Sequence, residues 1–291
     1  MRWWWKSDEY SVAGRTVLVT GAAGAIGRRL AERLVACGAR VALADIAGAE
    51  EGAALCAALD AAAGGGGVRA AAYRQTDLRD GAQIEQMVRW AEGEFGGRVD
   101  VLVNNAGLAS PHGLYAGETF EGLARLVQVN LVAPMEATRV FAQRTRAAGR
   151  TGCVVLNVAS LGGLLPNEGG EAYGAAKAAM IQLTRASRAL MPHVRVAAIA
   201  PYYVDTPMVR SNPKLQNNPT VHESLMLSVD QVCDAAIRCI QDPASAGNTY
   251  ALIGSCTYLR MWLYDYTALH VRAAAAWSLL VAAACRLLGR G

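Results

Sequence analysis

TVLVTGAAGAIG (residues 16–27) places a run of β-branched and apolar residues directly before a turn that is rich in glycine. Residues 26–37, which follow, carry apolar side chains at helical spacing and stop at Gly38. A strand, a glycine turn and a helix in this order suit a dinucleotide pyrophosphate. Small residues let backbone N–H groups approach the phosphates, and the helix N-terminus adds partial positive charge. The stretch therefore predicts a nucleotide-binding unit at the start of the fold.

Asp45 ends the second apolar stretch, RVALAD, eighteen residues after Gly27. A carboxylate at this spacing accepts hydrogen bonds from the hydroxyls of an adenosine ribose and repels a 2′-phosphate. It predicts NAD rather than NADP as the cofactor, and the glycine turn carries no Arg or Lys that would hold a 2′-phosphate. The alternative interpretation is that Asp45 is an ordinary helix N-cap.

Strand-like and helix-like segments alternate along the rest of the chain. We predict strands at residues 15–20, 39–45, 68–76, 99–104, 152–159, 194–200 and 249–253. The helices predicted between them cover residues 26–37, an Ala-rich segment that ends near residue 63, and residues 83–95, 120–145 (with a bend at Pro134), 172–190 and 229–241. Strands that are apolar on both faces are typical of a parallel sheet covered by helices on both sides. The predicted fold class is therefore α/β, with one doubly wound Rossmann-type domain and a parallel sheet of about seven strands.

The composition of the 291-residue chain fits one large domain, because 53% of the residues are hydrophobic and only 18% are charged. The net charge of +4 comes without any dense basic block, so nucleic-acid binding has no support. Seven scattered cysteines form no CxxC pair, which argues against disulfides and a metal site and favours a reducing, cytoplasmic location.

Both termini extend beyond the predicted domain, which we place at residues 13–257. Residues 1–12 begin MRWWWKSDEY and do not form a signal peptide. Residues 258–291 form a predicted hydrophobic helical tail, and its most apolar run, AAAAWSLLVAAAC, is too short to span a bilayer. The tail has two interpretations: a helix at a subunit interface, or a helix on a membrane surface that makes the protein membrane-associated.

Tyr173 and Lys177 lie four residues apart in YGAAK, so their side chains fall on one face of a helix. A nearby ammonium favours phenolate, and we expect Lys177 to lower the pKa of Tyr173 toward neutrality. Such a tyrosine transfers a proton to or from a substrate oxygen. Ser160 ends the strand VVLNVAS, where a hydroxyl can bind a substrate carbonyl, although an ordinary turn serine is the alternative.

Three further polar positions follow strands or interrupt a helix. NNAG (residues 104–107) ends the fourth strand, and Asp77 with Leu78 follows the third strand, where the pair can meet an adenine. Asn130 lies inside the predicted helix in VQVNLVAP, and asparagine is a poor residue for a helix interior. We therefore expect Asn130 to have a polar function.

Together these motifs resemble the short-chain dehydrogenase/reductase family over about residues 13–255. The resemblance implies a catalytic tetrad in which Tyr173 is the acid/base and Ser160 orients the carbonyl. Lys177 would bind the nicotinamide ribose and lower the tyrosine pKa, and Asn130 would hold a water of a proton relay. The resemblance and the motifs assign the cofactor to Thr20, Gly21, Gly24, Ala25, Ile26, Gly27, Asp45, Asp77, Leu78, Asn104, Ala106, Gly107, Tyr173, Lys177, Pro201 and Thr206, the last beside the nicotinamide carboxamide.

The sequence departs from the family pattern at two positions in the predicted site. Ala25 stands where the family's turn has its middle glycine, and Gly24 precedes it. Tyr202 follows Pro201 where the family usually has glycine, so we expect Tyr202 to put bulk near the nicotinamide.

We predict an NAD-dependent oxidoreductase, with no metal, that interconverts a secondary alcohol and a ketone. Apolar residues in the loops that would surround the substrate favour a lipophilic small molecule, such as a hydroxy fatty acid, a prostaglandin-like compound or a steroid: Leu161, Leu164, Leu165, Met208, Leu225 and Met226. The alternatives are an NADPH-dependent carbonyl or 3-oxoacyl reductase and a non-catalytic dinucleotide-binding scaffold. The resemblance also implies a homodimer or homotetramer that pairs through helices 120–145 and 172–190.

Overall fold

The computed structural model describes residues 10–64, 69–109, 113–114, 117–212 and 226–254, and the backbone of residues 259–260. The chain divides into two units, Met1–Leu259 and Arg260–Gly291, and the first holds every described residue except Arg260. The N-terminal tryptophans and the predicted tail helix lie outside the described residues. The division of the sequence at residues 13 and 258 stays a prediction.

Seven parallel strands form the sheet that the alternating pattern predicts. They are β1 (Thr16–Thr20), β2 (Arg40–Asp45), β3 (Ala71–Gln75), β4 (Val101–Asn104), β5 (Cys153–Val158), β6 (Val194–Pro201) and β7 (Thr249–Leu252). Their order is β3-β2-β1-β4-β5-β6-β7, followed by the two-residue β8 (Leu259–Arg260). The order reverses between β1 and β4, and the crevice above such a reversal is where doubly wound sheets bind ligands.

The helices of the described residues connect these strands. They are α1 (Ala25–Ala36), α2 (Ala49–Ala62), α3 (Gly81–Glu94), α4 (Phe120–Val127), α5 (Ala133–Ala147), α6 (Glu171–Ala186), α7 (Pro207–Arg210) and α8 (Val229–Gln241). Asp80 caps α3 with its carboxylate, and Ser228 and Gln231 form a capping box on α8. Glycines precede α1 and α2, whose first turns therefore receive no side-chain cap.

The core lies on both faces of the sheet, because neighbouring residues of each strand point to opposite sides. Val17 and Val19 of β1 belong to a cluster with Leu30 of α1 on one face. Leu18 belongs to a second cluster with Phe141 of α5 on the other face. All five residues are fully or almost fully buried, which confirms the doubly wound α/β class.

The predicted helix over residues 120–145 is interrupted. α4 is followed by a π-helical turn, Gln128–Val132, and α5 begins directly after that turn with Pro134 in its first turn. The irregular turn therefore precedes Pro134, and the proline itself is tolerated at the start of α5, where its missing N–H has no partner to lose. The helix predicted to end at residue 190 also changes, because Ser187–Leu190 form a 3₁₀ turn.

A chain of buried polar side chains connects β4, β5 and α6. The Asn104 amide donates to Oδ1 of Asn157 at 2.8 Å, and the Asn157 amide donates to the hydroxyl of Thr184 at 2.9 Å. Thr184 in turn donates to the carbonyl of Met180, one turn earlier in α6. All three polar side chains are buried, so each hydrogen bond replaces one that water would otherwise make.

Asp100 connects the start of β4 to its neighbours at the amino edge of the sheet. Its carboxylate accepts the backbone N–H of Thr16 at 2.9 Å and a guanidinium N–H of Arg150 at 2.8 Å. Tyr10 joins this edge, because its phenol donates to the Asp100 carbonyl and its own N–H donates to the carbonyl of Gln241. The chain therefore enters the domain at the amino edge of the sheet.

The described residues also bear on membrane and metal binding. Among them, no helix is both long and apolar enough to cross a bilayer. Within the same residues, no group of His, Cys, Asp and Glu side chains could hold a metal ion, and the five cysteines there are all free thiols.

Asn157→Leu tests the buried polar chain. We expect the variant to lower the free energy of unfolding by about 1–3 kcal/mol, because it removes two hydrogen bonds and leaves the Asn104 amide without its nearest acceptor. Urea denaturation followed by circular dichroism measures this change. As a control, Gln143→Ala removes an exposed hydrogen bond of 2.8 Å with Arg139 and should change stability by about 0.5 kcal/mol or less. Equal effects of the two variants would contradict the role given to the buried chain.

Candidate active site

The glycine turn between β1 and α1 brings backbone segments into close contact. Gly21 has a φ of +64°, and a Cβ there would lie 2.7 Å from the Cα of Ala106. A Cβ on Gly27 would lie 2.1 Å from the carbonyl oxygen of Gly21. At Gly24 the nearest atom would be 3.4 Å away, so the fold itself does not require glycine there. The first turn of α1 has no side-chain cap, and its N–H groups fit a pyrophosphate.

Ala25 and Ile26 form the start of α1 rather than part of the turn. Ile26 is partly buried and packs its side chain against the first core cluster, and its contact with the cofactor stays a prediction. The family's middle glycine thus corresponds here to the first residue of a helix, a position that alanine occupies without strain.

Asp45 lies at the end of β2 and is bound to two backbone N–H groups. Its Oδ2 accepts from Ala23 in the glycine turn at 2.9 Å, and its Oδ1 accepts from Ala47 at 3.0 Å. The N-cap of α2 is Gly48, so the alternative interpretation of Asp45 as a helix N-cap is wrong. A carboxylate accepts about four hydrogen bonds, which leaves capacity for ribose hydroxyls.

Asp77 and Leu78 follow β3, as predicted. The carboxylate of Asp77 pairs with the Arg79 guanidinium at 2.6 Å, and this interaction holds the pKa of Asp77 below its ordinary value. Leu78 lines a small cavity together with Thr20 and Ala106 at the ends of β1 and β4. The adenine contact of this pair stays a prediction.

The two asparagines that end β4 have different functions. Asn104 was predicted to contact the cofactor, but its side chain points into the core, because it is the last residue of a buried strand. Asn105, which the sequence analysis did not select, donates to the carbonyls of Thr20 and Gly21, at 3.0 Å in each case. The hydroxyl of Thr20 accepts the N–H groups of Asn105 and Ala106. These bonds connect the glycine turn to the loop after β4.

Asn130 occupies the π-helical turn and is fully buried. Its side chain pairs with the backbone of Leu108, accepting the N–H at 2.7 Å and donating to the carbonyl at 2.8 Å. A Cβ on Gly107 would lie 3.2 Å from Oδ1 of Asn130 and 3.5 Å from Nζ of Lys177. The predicted members Asn130, Gly107 and Lys177 therefore meet at one point.

Ser160, Tyr173 and Lys177 come together beyond the end of β5. The Ser160 hydroxyl interacts with the Tyr173 phenol through a side-chain hydrogen bond and accepts the N–H of Gly162 at 3.2 Å. The ammonium of Lys177 lies 5.6 Å from the centre of the Tyr173 ring and donates to the carbonyl of Val158 at 2.9 Å. A hydroxyl, a phenol and an ammonium thus share the edge of the sheet that carries the nucleotide turn.

The electrostatics of this cluster differ from the prediction. Burial raises the pKa of Tyr173, although the hydrogen bond with Ser160 lowers it and a charge on Tyr203 would raise it further. Burial also lowers the pKa of Lys177 to about 8. The expected lowering of the tyrosine pKa by Lys177 is therefore not found. Loss of water disfavours both the phenolate and the ammonium.

Two tyrosines follow β6, and the predicted closeness of Tyr202 to the nicotinamide stays a prediction. Tyr202 is partly buried against the first core cluster, and its N–H donates to the carbonyl of Leu252. Its ring meets the ring of Tyr203 edge to face at 4.8 Å. Tyr203 is the neighbour that affects Tyr173 electrostatically, and the sequence analysis missed it. Pro201 and Thr206 are buried, and the Thr206 hydroxyl donates to the carbonyl of Val204.

The loop after Ser160 borders a groove of about 380 Å³. Leu164, Leu165 and Pro166 line it from the loop, and Ala175 and Ala178 line it from α6. Leu165 and Met208 of the predicted substrate loops expose about half of their surface, whereas Leu161 is buried. Leu225 lies outside the described residues.

A doubly wound parallel sheet, a glycine turn without a side-chain cap, and a Ser–Tyr–Lys cluster in which Lys177 is buried are the parts that a dinucleotide-dependent oxidoreductase needs. The chain belongs to the short-chain dehydrogenase family, whose model matches residues 15–217.

Comparison with known proteins gives the same class. A 15-hydroxyprostaglandin dehydrogenase (NAD+) of Bos taurus is 30% identical over 277 residues, which cover 90% of this chain and 98% of the relative. A D-beta-hydroxybutyrate dehydrogenase of Cupriavidus necator is 34% identical over 203 residues, 68% of this chain and 73% of the relative. The crystal structure of levodione reductase has a TM-score of 0.74 at 27% identity, over 83% of this chain and 97% of that chain.

Lys177→Met tests the burial of the ammonium. Because the pKa of Lys177 falls from 10.5 to about 8 on folding, the unfolded chain binds more protons between these pH values. The buried charge therefore destabilises the fold fully below about pH 8, and this cost disappears as the pH rises toward about 10.5. We expect the unfolding free energy of the variant, relative to the wild type, to fall by about 2–3 kcal/mol between about pH 7 and about pH 10.

Urea denaturation at both pH values measures the difference between the two proteins, which cancels the titration of tyrosines and cysteines common to both. Arg125→Met, which removes an exposed cation, is the control and should show a constant difference. A difference for Lys177→Met that does not change with pH would contradict the prediction.

Proposed function

We propose that this chain is an NAD-dependent oxidoreductase that interconverts a secondary alcohol and a ketone. The observation that carries the proposal is the meeting of Ser160, Tyr173, Lys177 and Asn130 at the edge of the sheet where the glycine turn lies. Each of these side chains has a chemical task in moving a proton to or from one oxygen atom.

The mechanism follows from the contacts of these side chains. When bound, the nicotinamide supplies the hydride acceptor or donor. In alcohol oxidation, Ser160 donates a hydrogen bond to the substrate oxygen and holds it beside the phenol. Tyr173, as its phenolate, takes the hydroxyl proton and becomes the phenol as the hydride leaves the carbon, so the alcohol loses two electrons and two hydrogens and becomes a ketone. Reduction reverses each step, with Tyr173 as the acid.

Lys177 and Asn130 support this proton transfer. The ammonium stabilises a phenolate on Tyr173 when the proton arrives at or leaves that oxygen, since opposite charges attract strongly where water is excluded. Asn130 keeps the loop at Leu108 in place beside Lys177 through its two backbone hydrogen bonds. We propose that the same amide holds the water through which the proton reaches solvent.

The preference for NAD over NADP rests on Asp45. Its carboxylate lies at the end of β2, is joined to the glycine turn through Ala23, and would repel a 2′-phosphate. The similarity to the bovine relative, whose name specifies NAD+, supports the same cofactor.

The substrate that we propose is a lipophilic secondary alcohol, in the class of hydroxy fatty acids, prostaglandin-like compounds and steroids. Exposed apolar side chains at Leu165 and Met208, in the loops after Ser160 and after β6, favour such a molecule. The bovine relative named for a hydroxyprostaglandin supports it.

Tyr173→Phe tests the proposal. With NAD and a panel of secondary alcohols that spans 3-hydroxybutyrate, hydroxy fatty acids, prostaglandins and hydroxysteroids, NADH fluorescence should report turnover. The wild type should be faster with the lipophilic members and with NAD than with NADP. The variant should lose about 100- to 10,000-fold in kcat while binding NADH as before. A preference for NADP would favour the reductase alternative, and NADH binding without any turnover would favour the scaffold.

We also propose that the chain pairs with itself through α4, α5 and α6. Four large apolar side chains are exposed along the stretch from α4 to α5: Phe120, Val127, Val132 and Met135. The surface of a second copy of the chain would cover them. Met135→Glu should then shift the mass measured by light scattering toward the monomer. Met191→Glu, at an equally exposed methionine outside these helices, is the control and should leave the mass unchanged. A monomeric wild type would contradict the pairing.

A further inference from the structure

Tyr73 of β3 reaches the loop that follows Asp45. Its phenol donates to the carbonyl of Ala47 at 2.6 Å and lies 3.2 Å from the carbonyl of Asp45. One hydroxyl proton thus serves two carbonyls, with the shorter contact at Ala47. The tyrosine thereby closes the turn between β2 and α2 from the neighbouring strand.

The same turn connects to the glycine turn through Asp45. Ala47, whose carbonyl accepts from Tyr73, also donates its N–H to Oδ1 of Asp45. The other carboxylate oxygen of Asp45 accepts from Ala23. A continuous path of hydrogen bonds therefore leads from the phenol of Tyr73 to the backbone that cradles a pyrophosphate.

Gly52 in α2 provides the space for the Tyr73 ring. A Cβ at this position would lie 1.9 Å from Cδ1 of Tyr73 and 2.3 Å from two further ring atoms. Glycine in the interior of a helix is unfavourable, and in α2 it is one of the few buried residues. The packing of the ring against α2 accounts for the glycine.

The phenol stays a hydrogen-bond donor at neutral pH. Burial raises the pKa of Tyr73 to about 12, and the negative charges of Asp45 and Glu51 act in the same direction. Because these carboxylates disfavour the phenolate, the proton stays on the oxygen that faces Ala47.

We propose that Tyr73 is a positioning residue for the adenosine ribose of the dinucleotide. Its hydroxyl holds the Asp45–Ala47 turn in the conformation that directs the Asp45 carboxylate at the ribose hydroxyls. This inference rests on the proposed function, which assigns Asp45 to the ribose. Without the hydroxyl the turn samples other conformations, and the apparent affinity falls by the fraction that remains competent.

The effect should be confined to the adenosine end of the cofactor. Tyr73 lies on β3, whereas Ser160 and Tyr173 lie beyond β5, and three strands separate β3 from β5 in the sheet order. The inference therefore predicts a change in KM for NAD and in ADP-ribose affinity, with kcat at saturating NAD unchanged.

Tyr73→Phe keeps the ring and removes the hydroxyl. Isothermal titration with ADP-ribose, which needs no turnover, should show binding weaker by about three- to tenfold, the range of one net hydrogen bond. KM for NAD should rise by the same factor, and the preference for NAD over NADP should shrink. Gly52→Ala displaces the ring by an independent route and should weaken ADP-ribose binding in the same direction.

Tyr250→Phe is the matched control. It removes another phenol hydroxyl, which donates to the carboxylate of Asp242 at 2.7 Å. Tyr250 lies on β7, toward the opposite edge of the sheet from β3. Thermal unfolding of each variant shows whether it folds as the wild type does. ADP-ribose binding by this control should equal that of the wild type.

The outcomes separate the inference from the function on which it rests. If the wild type binds ADP-ribose and NADH but Tyr73→Phe binds them equally well, the positioning role is wrong and the proposed function stands. If Tyr250→Phe loses as much affinity as Tyr73→Phe, the effect is general loosening and the positioning role is again wrong. If the wild type binds neither NADH nor ADP-ribose, both proposals fail.

Discussion

The buried hydrogen bonds from Asn104 through Asn157 to Thr184 fix the position of α6 relative to β4 and β5, on which the rest of the site depends. Thr184 lies two helical turns beyond Lys177 on the same helix, so its contact with β5 sets how α6 lies on the sheet. A shift of α6 along the sheet would leave amide groups of this chain unpaired in the core. Each unpaired group would lower the free energy of unfolding. Tyr173 and Lys177 lie on the same helix as Thr184, so their positions depend on these hydrogen bonds.

The nucleotide turn is connected to the same strand by a second set of contacts. Asn105 and Thr20 join the glycine turn to the loop after β4, while Asn104, one residue earlier, joins β4 to the polar chain in the core. Two adjacent asparagines, Asn104 at the end of β4 and Asn105 directly after it, therefore connect the glycine turn to the polar chain that reaches α6. Their side chains point in opposite directions, as neighbouring residues at a strand end do.

Much of the fold was predictable because the pattern is local. The helix predicted at residues 229–241 has the bounds of α8, and each predicted strand overlaps an observed one. The spacing and the family resemblance also selected four side chains that lie near one another in the structure, and their catalytic roles stay predictions. By contrast, the sequence analysis did not predict the π-helical turn around Asn130. The side chain of Asn130 is hydrogen-bonded to the backbone of Leu108, and the local sequence pattern does not indicate this contact.

The missed features depend on contacts between residues far apart in sequence. The predicted strand 99–104 ends where β4 ends, but the local pattern does not show which partners the side chains of Asn104 and Asn105 reach, because these partners lie 53 and 85 residues away in sequence. The pKa of Tyr173 depends on how much water its neighbours exclude, which the YGAAK spacing does not reveal. Tyr73 reaches Ala47 across 26 residues of sequence, and only the pairing of β2 with β3 brings them together.

The attachment of Tyr10 has a practical consequence for handling the protein. Its phenol and its backbone N–H are bound at the amino edge of the sheet, near Asp100 and Gln241, and its ring stacks on the guanidinium of Arg15 at 4.1 Å. The reactive cluster occupies the other end of the strands. A purification tag or a sensor-chip linker fused directly to Tyr10 would accordingly be attached at the amino edge of the sheet, away from the edge where Ser160, Tyr173 and Lys177 lie.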